Sequence, residues 1–222
     1  MRVISFSLWG NNPKYTVGAI KNAELAKEIY PGWICRFYCA NDVPNPIIFQ
    51  LEGMDNVEVI IVDEVGSWKF TTQRFLAIDD PEAKIIIFRD TDSRLNSREQ
   101  EAVTKWLQSN KSLHIMKDHP YHGGFPILAG MWGLKTTEIK VSMASLLEKY
   151  NNAEQYHYDQ IFLKNWLWPL YAQDFIAHDE FFLKKPFPTK REGLNYVGKP
   201  FDADDLICLP GADEALRRIG IR

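Results

Sequence analysis

The chain has 222 residues, enough for one sizeable core, with 45% apolar and 25% charged side chains, the balance of a globular protein. A net charge of −3 argues against a nucleic-acid or anionic-membrane surface, so an anionic substrate has to be met by local Lys, Arg or metal. Cys35, Cys39 and Cys208 form neither a complete disulfide set nor a zinc cluster, and no apolar run approaches the ~20 residues of a bilayer span.

The first residues, Arg2-Val3-Ile4-Ser5-Phe6, read as a strand running to Leu8. They lack the apolar core and cleavage site of a signal peptide, so a reducing, cytoplasmic setting is expected. A turn-rich loop over 9–15 follows. Thr16 is placed as the N-cap of a helix reaching Tyr30, closed by Pro31-Gly32. Strands are expected at Trp33–Cys39 and Val57–Val62, with a short helix or turn at Pro46–Leu51 between them. A helix from Thr71 to Ile78 precedes the run Ile85-Ile86-Ile87-Phe88, which reads as a buried strand. Ser97-Arg98-Glu99-Gln100 forms a capping box. It opens a helix with the apolar face Ala102, Val103, Trp106 and Leu107. Strands at Leu113–Met116 and Ile127–Leu134 enclose a glycine-rich loop. Helices over Val141–Tyr150 and Asp159–Trp168 and a loop-rich tail from Pro186 complete the reading. Strands alternating with helices define an α/β chain with a mostly parallel central sheet. No repeat or linker divides it, so a single domain over 1–222 is expected.

The most informative stretch is Arg89-Asp90-Thr91-Asp92-Ser93-Arg94, directly after the Ile85 strand. Ligands of open α/β sheets gather beyond the carboxyl ends of the strands. Carboxylates at i and i+2 of a strand end point the same way, and they repel unless a cation joins them. Hard oxygen donors suit Mn²⁺ or Mg²⁺. The pair therefore reads as an Asp-x-Asp site in which a divalent metal holds a diphosphate. An ordinary turn or N-cap role is the alternative for either residue.

The order of motifs resembles the GT-A-fold, Rossmann-like glycosyltransferases, the glycogenin-type and bacterial galactosyltransferase families in particular. The carriers are Thr72-Gln73-Arg74-Phe75 ahead of Phe88-Arg89-Asp90-Thr91-Asp92. Next come Ala129-Gly130 within Leu128-Ala129-Gly130-Met131-Trp132-Gly133, then Tyr158-Asp159-Gln160, and last Ala177-His178-Asp179. The resemblance spans roughly residues 3 to 180 and differs in placing Arg89 before the Asp-x-Asp. It implies a metal-dependent transferase moving a hexosyl unit from a nucleoside-diphosphate sugar, a UDP-sugar first, to a glycan or other hydroxyl acceptor. Residues 1–95 would form the nucleotide-binding half and 96–222 the acceptor side.

The resemblance also assigns residues. Asp90, Asp92 and His178 would hold the metal. Ser5 and Leu8 would lie near the nucleobase through backbone groups, and Arg74 would reach the donor phosphate or sugar. Thr91, Ala129 and Gly130 would line the donor, and Lys199 in Gly198-Lys199-Pro200 would bind the diphosphate. Asp159 is the first candidate base if the anomeric centre inverts, and Asp118 the second. In a retaining reaction Asp159 and Gln160 would contact sugar or acceptor instead. Arg89 reads as structural. Arg94 would touch the acceptor or pair with a carboxylate.

Three other functions compete. A haloacid-dehalogenase-type phosphohydrolase would carry its Asp-x-Asp after the first strand, whereas this pair follows the fourth. A sugar-nucleotide nucleotidyltransferase would carry a glycine-rich, basic signature after strand one, which Leu8-Trp9-Gly10-Asn11-Asn12 lacks. A binding module that kept the fold and lost the chemistry is the third.

Overall fold

The computed structural model describes residues 1–138, 141–150 and 154–222. Seven strands form one sheet in the order β3-β2-β1-β4-β6-β5-β7. Strands β1 (Arg2–Leu8), β2 (Ile34–Ala40), β3 (Val57–Val62) and β4 (Ile85–Arg89) run parallel, joined through α1 (Pro13–Ile29), α2 (Asn45–Glu52) and a 3-10 helix, Lys69–Asp79. Then α3 (Ser97–Leu107) leads to β5 (Leu113–Lys117). Strand β6 (Met131–Lys135) is inserted antiparallel between β4 and β5, and β7 (Phe175–Asp179) pairs parallel with β5. The chain has the single-domain GT-A α/β architecture, with a mostly parallel sheet between helices.

Alternation along the strands builds two cores. In β1, Ile4, Phe6 and Leu8 face α1, α2 and α3, where Phe37, Val103 and Trp106 pack. Val3 faces the opposite layer with Phe75, Phe88, Trp132 and Phe162. Phe88 stacks on Trp132 at 4.0 Å between ring centres, a cross-strand pair that fixes the register of β4 against β6. Cys35 and Cys39 are both buried in the first core as packing groups.

Several local expectations shift. Helix α1 begins at Pro13, not after Thr16. Asn12 caps it by accepting from the Lys14 N–H, and Pro13 occupies the first turn, where no N–H is needed. The cap of α3 is Asn96, which accepts from the Glu99 N–H, one residue earlier than the Ser97 reading. Of the Ile127–Leu134 stretch only 131–134 is strand, and β6 runs one residue further, to Lys135. The expected helix from Asp159 to Trp168 is composite: α5 (Tyr158–Phe162), a π turn at Leu163–Leu167 and α6 (Trp168–Tyr171). Pro169 supplies the reason, having no N–H to continue an α-helical ladder. Helix α4 (Met143–Lys149) falls within its expected range, while β7 and α7 (Ala212–Arg218) add to the reading.

Candidate active site

Strand β1 connects onward to β2 on one side and lies against β4 on the other, so the strand order reverses between β1 and β4. That is where a crevice opens at the carboxyl ends of an open sheet. A cleft of about 290 Å³ lies there, lined by Ser7, Trp9 and Tyr15 after β1 and by Asp90, Thr91 and Asp92 after β4. Arg74, Ala129, Gly130, His122, Asp159 and Gln160 complete its inner wall.

Close backbone contacts shape the Asp90–Asp92 turn. A Cβ on Gly130 would lie 2.0 Å from Asp90 Oδ2, and one on Gly18 of α1 would lie 2.1 Å from the Thr91 carbonyl. Only glycine leaves room at either point. Asn22, fully buried on α1, donates to the carbonyls of Thr91 and Ser93 and accepts from the Leu95 N–H. The tail closes the turn from outside. The Phe201 N–H donates to the Asp92 carbonyl, and Arg94 bonds the Asp205 carboxylate and the Asp202 carbonyl.

Arg74 is the electrostatic centre. It is buried, with Nη1 2.5 Å from Asp90 Oδ1 and 2.8 Å from the Arg89 carbonyl, and Nη2 2.8 Å from Asp159 Oδ2. Asp159 also accepts the Gln160 N–H at Oδ1. Burial pushes the Asp159 carboxyl up from its usual range; Arg74 pulls it down and the Asp90 charge adds to the rise. His157, just before α5, is left-handed at φ 66°, a costly conformation for a non-glycine residue, at the lip of the cleft.

Asp92 faces a second cation: Lys14 Nζ lies 2.7 Å from its Oδ2. Burial, then the neighbouring Asp90 charge, raise the Asp92 carboxyl above its ordinary value, against the pull of Lys14. Burial alone would lower the Lys14 ammonium, but Asp92 outweighs it and the group is held above its ordinary value. Two cations thus answer three carboxylates.

Five expected site residues lie elsewhere. The Ser5 hydroxyl is buried and donates to the Arg74 carbonyl, and Leu8 is buried in the helix-side core. The side chains that line the cleft at this strand end are those of Ser7 and Trp9. Asp118 is fully buried away from the cleft, with both oxygens bonded by Arg98, Arg191 and the Val197 N–H. Lys199 is turned to Asp213 and the Leu194 carbonyl. His178 sits on the outermost strand, 2.8 Å from His114 Nε2, with two strands between it and β4. Arg74 lines the cleft as expected for a donor contact, with Nη1 spent on protein oxygens, Nη2 on Asp159 alone and Nε without a protein partner among the described residues. Arg89 is structural as read: it is buried and paired with Glu99.

Among the described residues no group of three or more His, Cys, Asp and Glu is placed to hold a metal ion. What remains is one oxygen each of Asp90 and Asp92, Oδ2 and Oδ1, opposite the oxygens taken by Arg74 and Lys14. Mg²⁺ and similar ions are commonly held by one or two carboxylates together with substrate phosphates. The donor set fits an ion shared with a diphosphate, and does not fit a closed protein cage.

The cleft residues that sequence reasoning missed are aromatic: Trp9, Tyr15, Trp68 and Tyr156. Trp9 and Tyr15 stack with ring centres 6.3 Å apart, and exposed Trp68 meets Tyr156 edge-on at 5.1 Å. His122 Nδ1 accepts the Asp118 N–H, so its proton sits on Nε2. Burial, then His119, Lys117 and Arg191, lower its pKa to about 3. The group is a fixed neutral donor at the cleft wall. An excess of Trp and Tyr was visible in the composition, but nothing in it separates cleft from core.

The architecture is shared with solved glycosyltransferases. Galactosyltransferase LgtC, in complex with donor and acceptor sugar analogues, matches with a TM-score of 0.53 at 13% identity, over 81% of this chain and 74% of that one. An active-site mutant of LgtC gives 0.50 at 14%, over 81% and 73%. Glycosyltransferase GlyE of Streptococcus pneumoniae gives 0.50 at 16%, over 81% of this chain and 45% of GlyE. At such identities the likeness is one of fold. No family model matches the chain, and no curated protein sequence does.

Proposed function

We propose that the chain is a nucleotide-sugar glycosyltransferase, moving a hexosyl unit from a nucleoside-diphosphate sugar, a UDP-sugar first, to a hydroxyl of a glycan or related acceptor. The observation that carries this reading is the joint position of Asp90, Asp92, Arg74 and Asp159 in one cleft at the strand-order reversal. A divalent cation, Mn²⁺ or Mg²⁺, would be held by Asp90 and Asp92 together with the diphosphate; when bound it supplies charge stabilisation to the leaving group.

The protein's own part follows from its contacts. Arg74 fixes the distance between Asp90 and Asp159 by bonding both, so the diphosphate end and the sugar end of the cleft are held in register. Asp159 and Gln160 face the transferring sugar or the incoming hydroxyl. With Asp118 sealed away, Asp159 is the remaining candidate base should the reaction invert. Trp9 and Tyr15, beyond β1, offer the base an aromatic wall. The Trp68–Tyr156 pair offers the apolar face of an acceptor sugar the same. Residues 1–95 would thus serve the donor and 96–222 chiefly the acceptor. Free thiols at Cys35, Cys39 and Cys208 support a cytoplasmic setting. Among the described residues no helix is long and apolar enough to cross a membrane.

The test is a melting-temperature screen of nucleoside diphosphates and nucleotide sugars, with Mn²⁺ and with EDTA. A ligand that binds only the folded chain at a hundred times its Kd adds about 2.7 kcal/mol. A metal-dependent rise with one nucleotide class is expected. No rise with any of them would overturn the assignment.

A further inference from the structure

Lys14 has no part in the expectations drawn from the sequence, yet its ammonium occupies the carboxylate pair. It is the second residue of α1, and the Asn12 cap fixes its backbone N–H at 3.0 Å. Its Nζ lies 2.7 Å from Asp92 Oδ2 and 5.0 Å from the centre of the Tyr15 ring. Both side chains of the pair remain partly open to solvent, 27% for Lys14 and 18% for Asp92, so the contact is able to exchange. Asp90, the other carboxylate, is matched by Arg74, which is buried and held by three oxygens. Of the two cations in the site, Lys14 is therefore the one free to move.

We infer that Lys14 is a resident counter-ion that makes divalent-metal binding at Asp90 and Asp92 conditional on the diphosphate. The inference rests on the donor reading above. In the free protein a divalent ion on the open oxygens of Asp90 and Asp92 stands beside the Lys14 ammonium, and the two cations share the charge of Asp92. When a diphosphate enters together with the ion, Lys14 turns from Asp92 to a phosphate oxygen, and that contact offsets the loss of the Asp92 pair and relieves the repulsion between the two cations. Each ligand then raises the affinity of the other by the same factor, as linkage requires. The diphosphate gains a lysine contact at the same moment, and a free metal ion does not trap the site.

The probe is Mn²⁺, titrated on the whole chain by the electron-spin signal of the free ion, with and without UDP. In the wild type UDP should tighten Mn²⁺ binding by roughly tenfold or more, within the usual range of coupling. Lys14→Met keeps the stem over Tyr15 and removes the charge. It should bind Mn²⁺ alone several-fold more tightly and lose most of the UDP-dependent gain. Lys14→Arg should keep the coupling, which separates charge from packing. If Lys14→Met shows the wild-type affinity for Mn²⁺ alone and the wild-type gain with UDP, the inference falls while the diphosphate site stands. If the wild type binds no Mn²⁺ with or without UDP, the donor reading falls and takes the inference with it.

Discussion

At the scale of single residues, the site depends on two carboxylates with different duties. The Asp92 carboxylate is paired with Lys14 alone among the described side chains, whereas Asp159 has an oxygen on Arg74 and the other on the Gln160 N–H. Asp92→Ala should therefore abolish the Mn²⁺-dependent rise in melting temperature with the donor while the unliganded protein melts as before. Asp159→Asn should leave donor affinity within a few-fold and lower turnover by on the order of a hundredfold, the low end for an acid–base group. Calorimetric donor binding beside initial rates separates the two, and equal rates in mutant and wild type would remove Asp159 from the reaction. Gly130→Ala tests the turn without touching a charge. The added methyl would stand 2.0 Å from Asp90 Oδ2, so Asp90 must swing away from Arg74. Metal-dependent donor binding should fall at least tenfold with secondary structure intact; unchanged binding would mean that Asp90 has room the geometry denies it.

At the scale of elements, β4 is tied to its neighbours by polar bonds as well as by packing. Arg89 and Glu99 are both 2% exposed at their side chains and 2.9 Å apart, and the Tyr30 hydroxyl donates to the same Glu99 oxygen. The end of β4, the start of α3 and the end of α1 meet there. Glu99→Ala would strand a buried guanidinium, and breaking such a pair costs about 3–5 kcal/mol. Urea unfolding should show that loss; a loss below about 1 kcal/mol would mean that water reaches Arg89. The sequence made β4 and its Asp-x-Asp plain because four apolar residues ended abruptly in charge. It made α1 plain through the Pro31-Gly32 stop and α3 through the apolar face of Ala102, Val103, Trp106 and Leu107. It could not show that β6 runs antiparallel, since direction is set by partners and a glycine-rich strand has little pattern of its own. For the same reason β7 went unread: Phe175-Ile176-Ala177 is too short a run to stand out. The misplaced residues share one cause. His178 and Lys199 were matched by their order along the chain and Asp118 by its place after a short strand, whereas reaching the cleft depends on which strand is central and which is at the edge. Arg74, Asp90, Asp159 and Gly130 meet because their segments flank β4 or follow it directly.

At the scale of the whole molecule, four of the five histidines have their charged form disfavoured by burial. His114, His119, His122 and His178 all have pKa values lowered mainly by burial, His178 to about 4 and His122 to about 3. The unfolded chain takes up protons on these groups near pH 6.5, while the folded chain takes them up only well below that. Between those values the unfolded state binds more protons, so stability is complete above about pH 6.5 and declines as pH falls through the window. Asp92 and Asp159 act in the opposite sense. Their raised folded values mean that the folded state binds more protons just above the ordinary carboxylate range, and acidification there relieves strain in the cleft. Four histidines outnumber two carboxylates, and their window opens at higher pH, so the net slope from pH 7 to pH 5 is a loss. The urea midpoint should fall steadily over that interval. His122→Asn, which removes one titrating group without adding charge, should flatten the slope by close to one proton. A midpoint that holds constant or rises between pH 7 and pH 5 would show that these imidazoles are hydrated in the folded chain, and the fixed Nε2 donor at the cleft wall would lose its physical basis.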